Sequence, residues 1–159
     1  MKSKFKHVLA AALMTSVYAS SALADGITRH PIPNSDFPIL QAVSLEDTTL
    51  TYLSGTVPKP GKNDDFGDTK TQTISVLESI QGKLESLGLT ISDVVKMTVF
   101  LVPTETTGEM DFGGFMEGYT QFFGTTDQPN LPTRSVVGVA SLANPDWLVE
   151  IEVLAATEK

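Results

Sequence analysis

The 159-residue sequence predicts one α+β domain in the order ββαβαββ, a mixed sheet carrying two helices on one face. Three observations predict it. Short apolar runs with period-two alternation recur between turn signals, while two other segments space their apolar residues at helical intervals. A content of 41% hydrophobic and 19% charged residues gives this length a core for one domain, not two.

In chain order, Pro38 to Val43 and Leu50 to Val57 read as strands, with Glu46-Asp47 as a hairpin turn between them. Residues 58–68, with Pro58, Pro60, Gly61 and Gly67, form a loop. Thr69 and Gln72 match a capping box, hydroxyl and amide each meeting a free backbone N–H. Ile74, Leu77, Leu84 and Leu87 then mark a helix, and Gly88 is placed to end it in the left-handed conformation. Val94 to Val102 is the clearest strand, and Pro103 closes it. Asp111 caps a second helix with the stripe Phe112, Phe115, Met116, Tyr119 and Phe123. Thr133–Ser141 and Leu148–Ala156 are the last strands, joined through Asn144-Pro145-Asp146.

The first 24 residues have the form of a secretory signal peptide. Lys2, Lys4 and Lys6 precede the apolar Val8–Met14, and Ala22-Leu23-Ala24 supplies a small-x-small cleavage site. A mature chain beginning at Asp25 is expected in the periplasm or outside the cell. Residues 25–36, with Pro31 and Pro33, read as a polar tail, and 37–159 as the domain. Net charge is −8 for the whole chain and −11 after cleavage, with 8 basic against 19 acidic residues. Such a surface repels phosphate backbones and argues against nucleic acid as a partner. The absence of cysteine excludes disulfides and a thiolate nucleophile. Two histidines, His7 and His30, cannot build a multi-histidine metal site, and His30 sits in the expected tail as a bystander. No apolar run reaches the ~18 residues of a membrane span.

Strand parity predicts an oligomer. Val95, Met97, Val99 and Leu101 form one apolar face, suited to lie under the helices. The opposite face, Lys96, Thr98, Phe100 and Val102, is too apolar for simple exposure, and Leu148, Glu150, Glu152 and Leu154 repeat the pattern. Two helices cover only one face, so a second chain is expected on the other.

Site candidates are the charges that sit where they are costly. Arg134 opens a strand otherwise made of small and apolar residues, and an anion should meet it: Glu150, Glu152, a carboxylate of another subunit, or a ligand. A rim arginine or a structural ion pair is the plainer alternative. Glu150 and Glu152 share a face about 7 Å apart, as an acid/base pair or as a salt-bridged edge. Ser54 and Gly55 end an apolar strand, where they present hydroxyl and backbone to a ligand or simply make a bend. No G-x-S-x-G elbow and no phosphate-cradling glycine loop are present, and Trp147, Phe112 and Phe115 read as packing anchors.

From Leu50 to Ala156 the chain resembles the RidA (YjgF) family. The matching stretches are Ser54-Gly55, Gln72 with Leu77, Gly88-Leu89, and Asp93 through Phe100. Tyr119-Thr120-Gln121-Phe122-Phe123, Pro132-Thr133-Arg134-Ser135 and Val149-Glu150-Ile151-Glu152 also match. The resemblance implies a chorismate-mutase-like homotrimer with ligand clefts between subunits. It further implies cofactor-free, metal-free hydrolysis of reactive enamines or imines to 2-oxo acids and ammonia. On that basis Arg134 anchors the substrate carboxylate, Glu150 positions water as acid/base, and Ser54 and Gly55 line the cleft. Three cleft positions depart from the family pattern: Ile39 replaces an aromatic residue, Met116 an asparagine and Val136 a cysteine. The loop at 103–111 is also longer. A more apolar pocket for a small apolar carboxylate follows. Two functions stay open at this stage: an exported imine/enamine deaminase, or a module that binds an organic acid or apolar metabolite in the same cleft without turnover.

Overall fold

A computed structural model describes residues 26–159, so the expected signal peptide and its cleavage site lie outside the described residues. Among the described residues there are six strands and two α-helices: β1 (Ile27–Pro31), β2 (Leu40–Leu45), β3 (Thr48–Thr56), α1 (Thr69–Ser86), β4 (Val94–Leu101), α2 (Phe112–Tyr119), β5 (Thr133–Gly138) and β6 (Val149–Glu158). The main sheet has the order β3-β6-β4-β5. Its β3–β6 and β6–β4 pairs are antiparallel and β4–β5 is parallel, making the sheet mixed. The parallel pair needs a crossover, which α2 and its loops supply.

One side of this sheet carries both helices. Met97, Val99 and Leu101 of β4 align with Val153, Ile151 and Val149 of β6, and all lie in the core with Val76, Leu77, Ile80 and Leu84 of α1. From α2 come Phe115 and Tyr119, with Phe123 just beyond it. The face expected to be apolar is therefore buried. Its reverse carries Tyr52, 76% exposed, and Leu50, 42% exposed, along with the half-buried Phe100 and Leu154.

Several local expectations are corrected. Residues 25–36 are not a tail throughout, because β1 lies within them and pairs antiparallel with β2. Arg29 explains this order: its guanidinium donates to the backbone carbonyls of Val94, Leu131 and Ser92 at 2.7–3.2 Å, tying β1 to the domain. The Glu46-Asp47 turn is present, with Asp47 at φ 47°, but it does not close a hairpin, since β2 pairs with β1 and β3 with β6. The cap of α1 is Asp68, not Thr69; its carboxylate accepts from the Thr71 amide. Gln72 instead latches three segments, donating to Gly67 and Asp146 carbonyls and accepting from the Leu148 amide. Leu87, expected on the buried stripe, is exposed. The second helix is shorter than its apolar stripe, and Phe123 is buried from the turn that follows. Asp111 caps α2 through the Gly114 amide, and Gly88 at φ 76° ends α1.

Candidate functional site

Arg134 stands on β5 directly beside Met97 of β4, so its side chain leaves the sheet on the helix side. There it meets an aromatic cluster. Its Cζ lies 4.2 Å from the Tyr119 ring centre, 5.0 Å from Phe115 and 5.6 Å from Phe37. Rings within about 6 Å attract a cation through their quadrupole, an interaction that strengthens as water is removed. Nη2 donates to the Met116 thioether at 3.2 Å, a weak acceptor. Nη1 is buried and has no hydrogen-bond partner.

Three buried side-chain atoms among the described residues lack a partner, Thr69 Oγ1, Trp147 Nε1 and Arg134 Nη1, and of these Nη1 alone belongs to a charged group. Burial lowers the Arg134 pKa, which the neighbouring Tyr119 only partly offsets, yet a guanidinium remains charged at any physiological pH. Tyr119 supplies no counter-charge, because burial pushes its phenol up to about 12 and its hydroxyl donates to the Pro38 carbonyl at 2.9 Å. The ion pairs among the described residues are Lys70–Glu117 and Lys159–Asp47, both exposed and neither involving Arg134. Arg29, the other half-buried arginine, has its carbonyl partners. A buried charge whose donors are incomplete is expensive, and a planar carboxylate is the group that fits the guanidinium fork.

Glu150 and Glu152 are not that carboxylate. They pair with Phe100 and Thr98 on β4 and alternate with the core residues Val149, Ile151 and Val153. Both therefore leave the sheet on the face opposite Arg134, which removes them as partners within one chain.

Glu150 instead belongs with Ser54 and Gly55. The β3–β6 register slips between Leu53 and Thr56, so three steps on β3 span two on β6 and Ser54-Gly55 forms a bulge. A Cβ on Gly55 would clash with Glu150 Oε1 and lie 2.9 Å from its Cδ. The missing side chain is what lets the half-buried carboxylate lie against the strand. Glu152 is exposed on the same face.

The seven sequence-derived site residues thus fall into two groups. Arg134, Met116 and Val136 share the helix side, with Val136 two residues along β5 and packed on the core. Half-buried Ile39 follows Pro38, whose carbonyl holds Tyr119. Ser54, Gly55 and Glu150 occupy the other face. The sequence singles out neither Phe37 nor Tyr119 as a site residue: Phe37 falls in no element, and Tyr119 enters through the helix stripe and one family-matching stretch. Among the described residues no group of three or more metal-ligating side chains converges, and no helix is long and apolar enough to cross a membrane.

Comparison with known proteins gives the family. The family model Ribonuc_L-PSP, described as Endoribonuclease L-PSP, matches residues 37–157. The chain belongs to this family. A RutC family protein of Haemophilus influenzae is 37% identical over 119 residues, covering 74% of this chain and 85% of the relative. TdcF of Escherichia coli K12, which carries the name of a reactive intermediate deaminase, is 35% identical over 124 residues, 77% of this chain and 89% of its own. The crystal structure of E. coli TdcF with bound serine superposes with a TM-score of 0.57 at 32% identity, covering 83% of this chain and 98% of that one. The RidA (YjgF) resemblance read from the motifs is consistent with these matches, as is the α+β fold with two helices and a mixed sheet.

Proposed function

We propose that the protein is a cofactor-free deaminase that hydrolyses reactive imines and enamines of small apolar carboxylic acids. Water adds to the imine carbon, the C–N bond breaks, and a 2-oxo acid and ammonia leave. An imine carbon is already electrophilic, so the protein needs only to hold the carboxylate, place water and move a proton. Arg134 is the anchor and Glu150 the acid/base. The unpartnered Nη1 beneath its aromatic cover carries this reading. The name carried by TdcF supports the reaction class. The net charge of −8 speaks against ribonuclease action despite the family description.

Arg134 and Glu150 lie on opposite faces of one sheet, so a site using both draws them from different copies of the chain. The exposed Tyr52 and Leu50 give a second copy something to cover, and a groove of about 220 Å³ lies beside Tyr52, Lys96, Thr98, Glu152 and Leu154. A homotrimer with the site in each seam is our assembly, and export to the periplasm or medium our location, on the signal-like residues 1–24. In the test, an amino-acid oxidase generates 2-imino acids and their decay is followed with and without protein. Acceleration lost in Arg134→Ala supports the reading; no acceleration by the wild type overturns it.

A second reading, carboxylate binding without turnover, draws on Met116, whose thioether occupies Nη2 where a more strongly hydrogen-bonding side chain would polarise the ligand. Binding abolished in Arg134→Ala, intact in Glu150→Ala, and no turnover in any form would favour it.

A further inference from the structure

We propose that Phe37 is a specificity-determining residue, an aromatic wall beside Arg134 that selects carboxylates bearing an apolar, and above all an aromatic, substituent. The inference rests on Arg134 being the carboxylate anchor and names the class of acid that anchor accepts. Of the three rings around the guanidinium, Phe115 and Tyr119 are fully buried core residues, whereas Phe37 is 44% exposed. It touches the cation yet keeps much of its surface for something else.

Its position is enforced by the backbone on either side. The Phe37 amide donates to Ser35 Oγ at 3.2 Å and its carbonyl accepts from Ile39 at 2.7 Å. Pro38 is held by the Tyr119 hydroxyl, and the Leu40 amide donates to the Pro132 carbonyl at 3.0 Å, two residues before Arg134. The strap from Ser35 to Leu40 is therefore pinned to the strand and the helix that present the arginine.

The guanidinium decides where a ligand carboxylate lies. Met116 accepts one Nη2 hydrogen bond, and Nη1 is unpaired but closed to solvent in the single chain; both lie one bond from the Cζ that is 5.6 Å from the Phe37 ring centre. A carboxylate on the guanidinium carries its substituent within one side-chain length of that ring. Met116, the side chain that meets the guanidinium, offers only a thioether to a polar substituent, so a hydroxyl or amide buried against the ring there loses water without replacement. An apolar substituent gains contact with the ring and loses nothing. In apolar pockets a single methylene discriminates by about tenfold or more.

Calorimetric titration with two stable 2-oxo acids, pyruvate and phenylpyruvate, tests this. Wild type should bind phenylpyruvate at least ~10-fold more tightly than pyruvate. Phe37→Ala should bring the two together by weakening phenylpyruvate while leaving pyruvate within about twofold. Phe37→Leu, with an apolar but non-aromatic wall, should retain part of the preference, and it carries the test if the alanine variant does not fold. An unchanged ratio in the Phe37 variants, with both acids still requiring Arg134, overturns the role of Phe37 and leaves the anchor standing. Binding of neither acid, or equal binding by Arg134→Ala, overturns the anchor and this inference with it.

Discussion

Replacing Gly55 by alanine should separate catalysis from stability. The new methyl would occupy the place of Glu150 Oε1, with Cδ at 2.9 Å and Cγ at 3.3 Å, so the carboxylate must swing away. What yields is the tip of a flexible side chain, not backbone. Gly55 is also not among the residues at positive φ, so alanine can adopt its conformation. Alanine there costs unfolded-state entropy, worth ~0.4–1 kcal/mol in favour of the fold, against a rotamer change of similar size. Thermal stability should therefore move by no more than about 1 kcal/mol either way. If Glu150 places the water, its displacement should lower imine hydrolysis by roughly 10²–10⁴-fold, the usual worth of a general acid/base. Affinity for a 2-oxo acid, which rests on Arg134, should change by less than about fivefold. Thermal unfolding, oxidase-coupled imine decay and calorimetry on the same preparation measure all three. Turnover at the wild-type rate would refute the role given to Glu150. Equal losses in affinity and turnover would show that the bulge shapes binding rather than proton transfer.

Other expectations follow from the same contacts. Arg29→Met should strip three carbonyls of their donor and destabilise the fold by about 2–3 kcal/mol, read by denaturant unfolding. Asp68→Ala should cost about 1 kcal/mol as a lost helix cap. The Thr71 hydrogen bonds depress the Asp68 pKa, so its contribution is complete above the usual carboxylate range and is lost as pH falls through the lowered value. Asp68→Asn, which caps without titrating, should flatten that part of the acid limb. Tyr52→Glu places a charge on the exposed face of β3 and should shift sedimentation toward monomer, while a monomeric wild type at micromolar concentration would contradict the assembly proposed above.

Local chemistry made much of the fold legible. Strand β4 announces itself through four alternating apolar residues closed by Pro103, and α1 ends at Gly88 because only a residue tolerant of positive φ continues the chain there. Two features were hidden for physical reasons. The pairing of β1 with β2 depends on Arg29 reaching carbonyls up to 102 residues away, a contact no local pattern encodes. Asp68 and Thr69 both have capping side chains, and tertiary packing decided between them by burying Thr69. The site shows the same division. Arg134 stood out as a charge among small and apolar residues, and Glu150 as half of a carboxylate pair. That they face opposite sides follows only from the register of three strands. Phe37 lies between two turn-forming segments with no periodicity to mark it, so only its approach to Arg134 reveals it.

A crystal structure of the protein with a bound 2-oxo acid tests the central claim most directly. The account predicts a ligand carboxylate about 2.7–2.9 Å from a nitrogen of the Arg134 guanidinium, with Glu150 of a neighbouring copy across the seam. A glutamate of the protein itself seated on that guanidinium, or an acid bound elsewhere with Arg134 untouched, would contradict it.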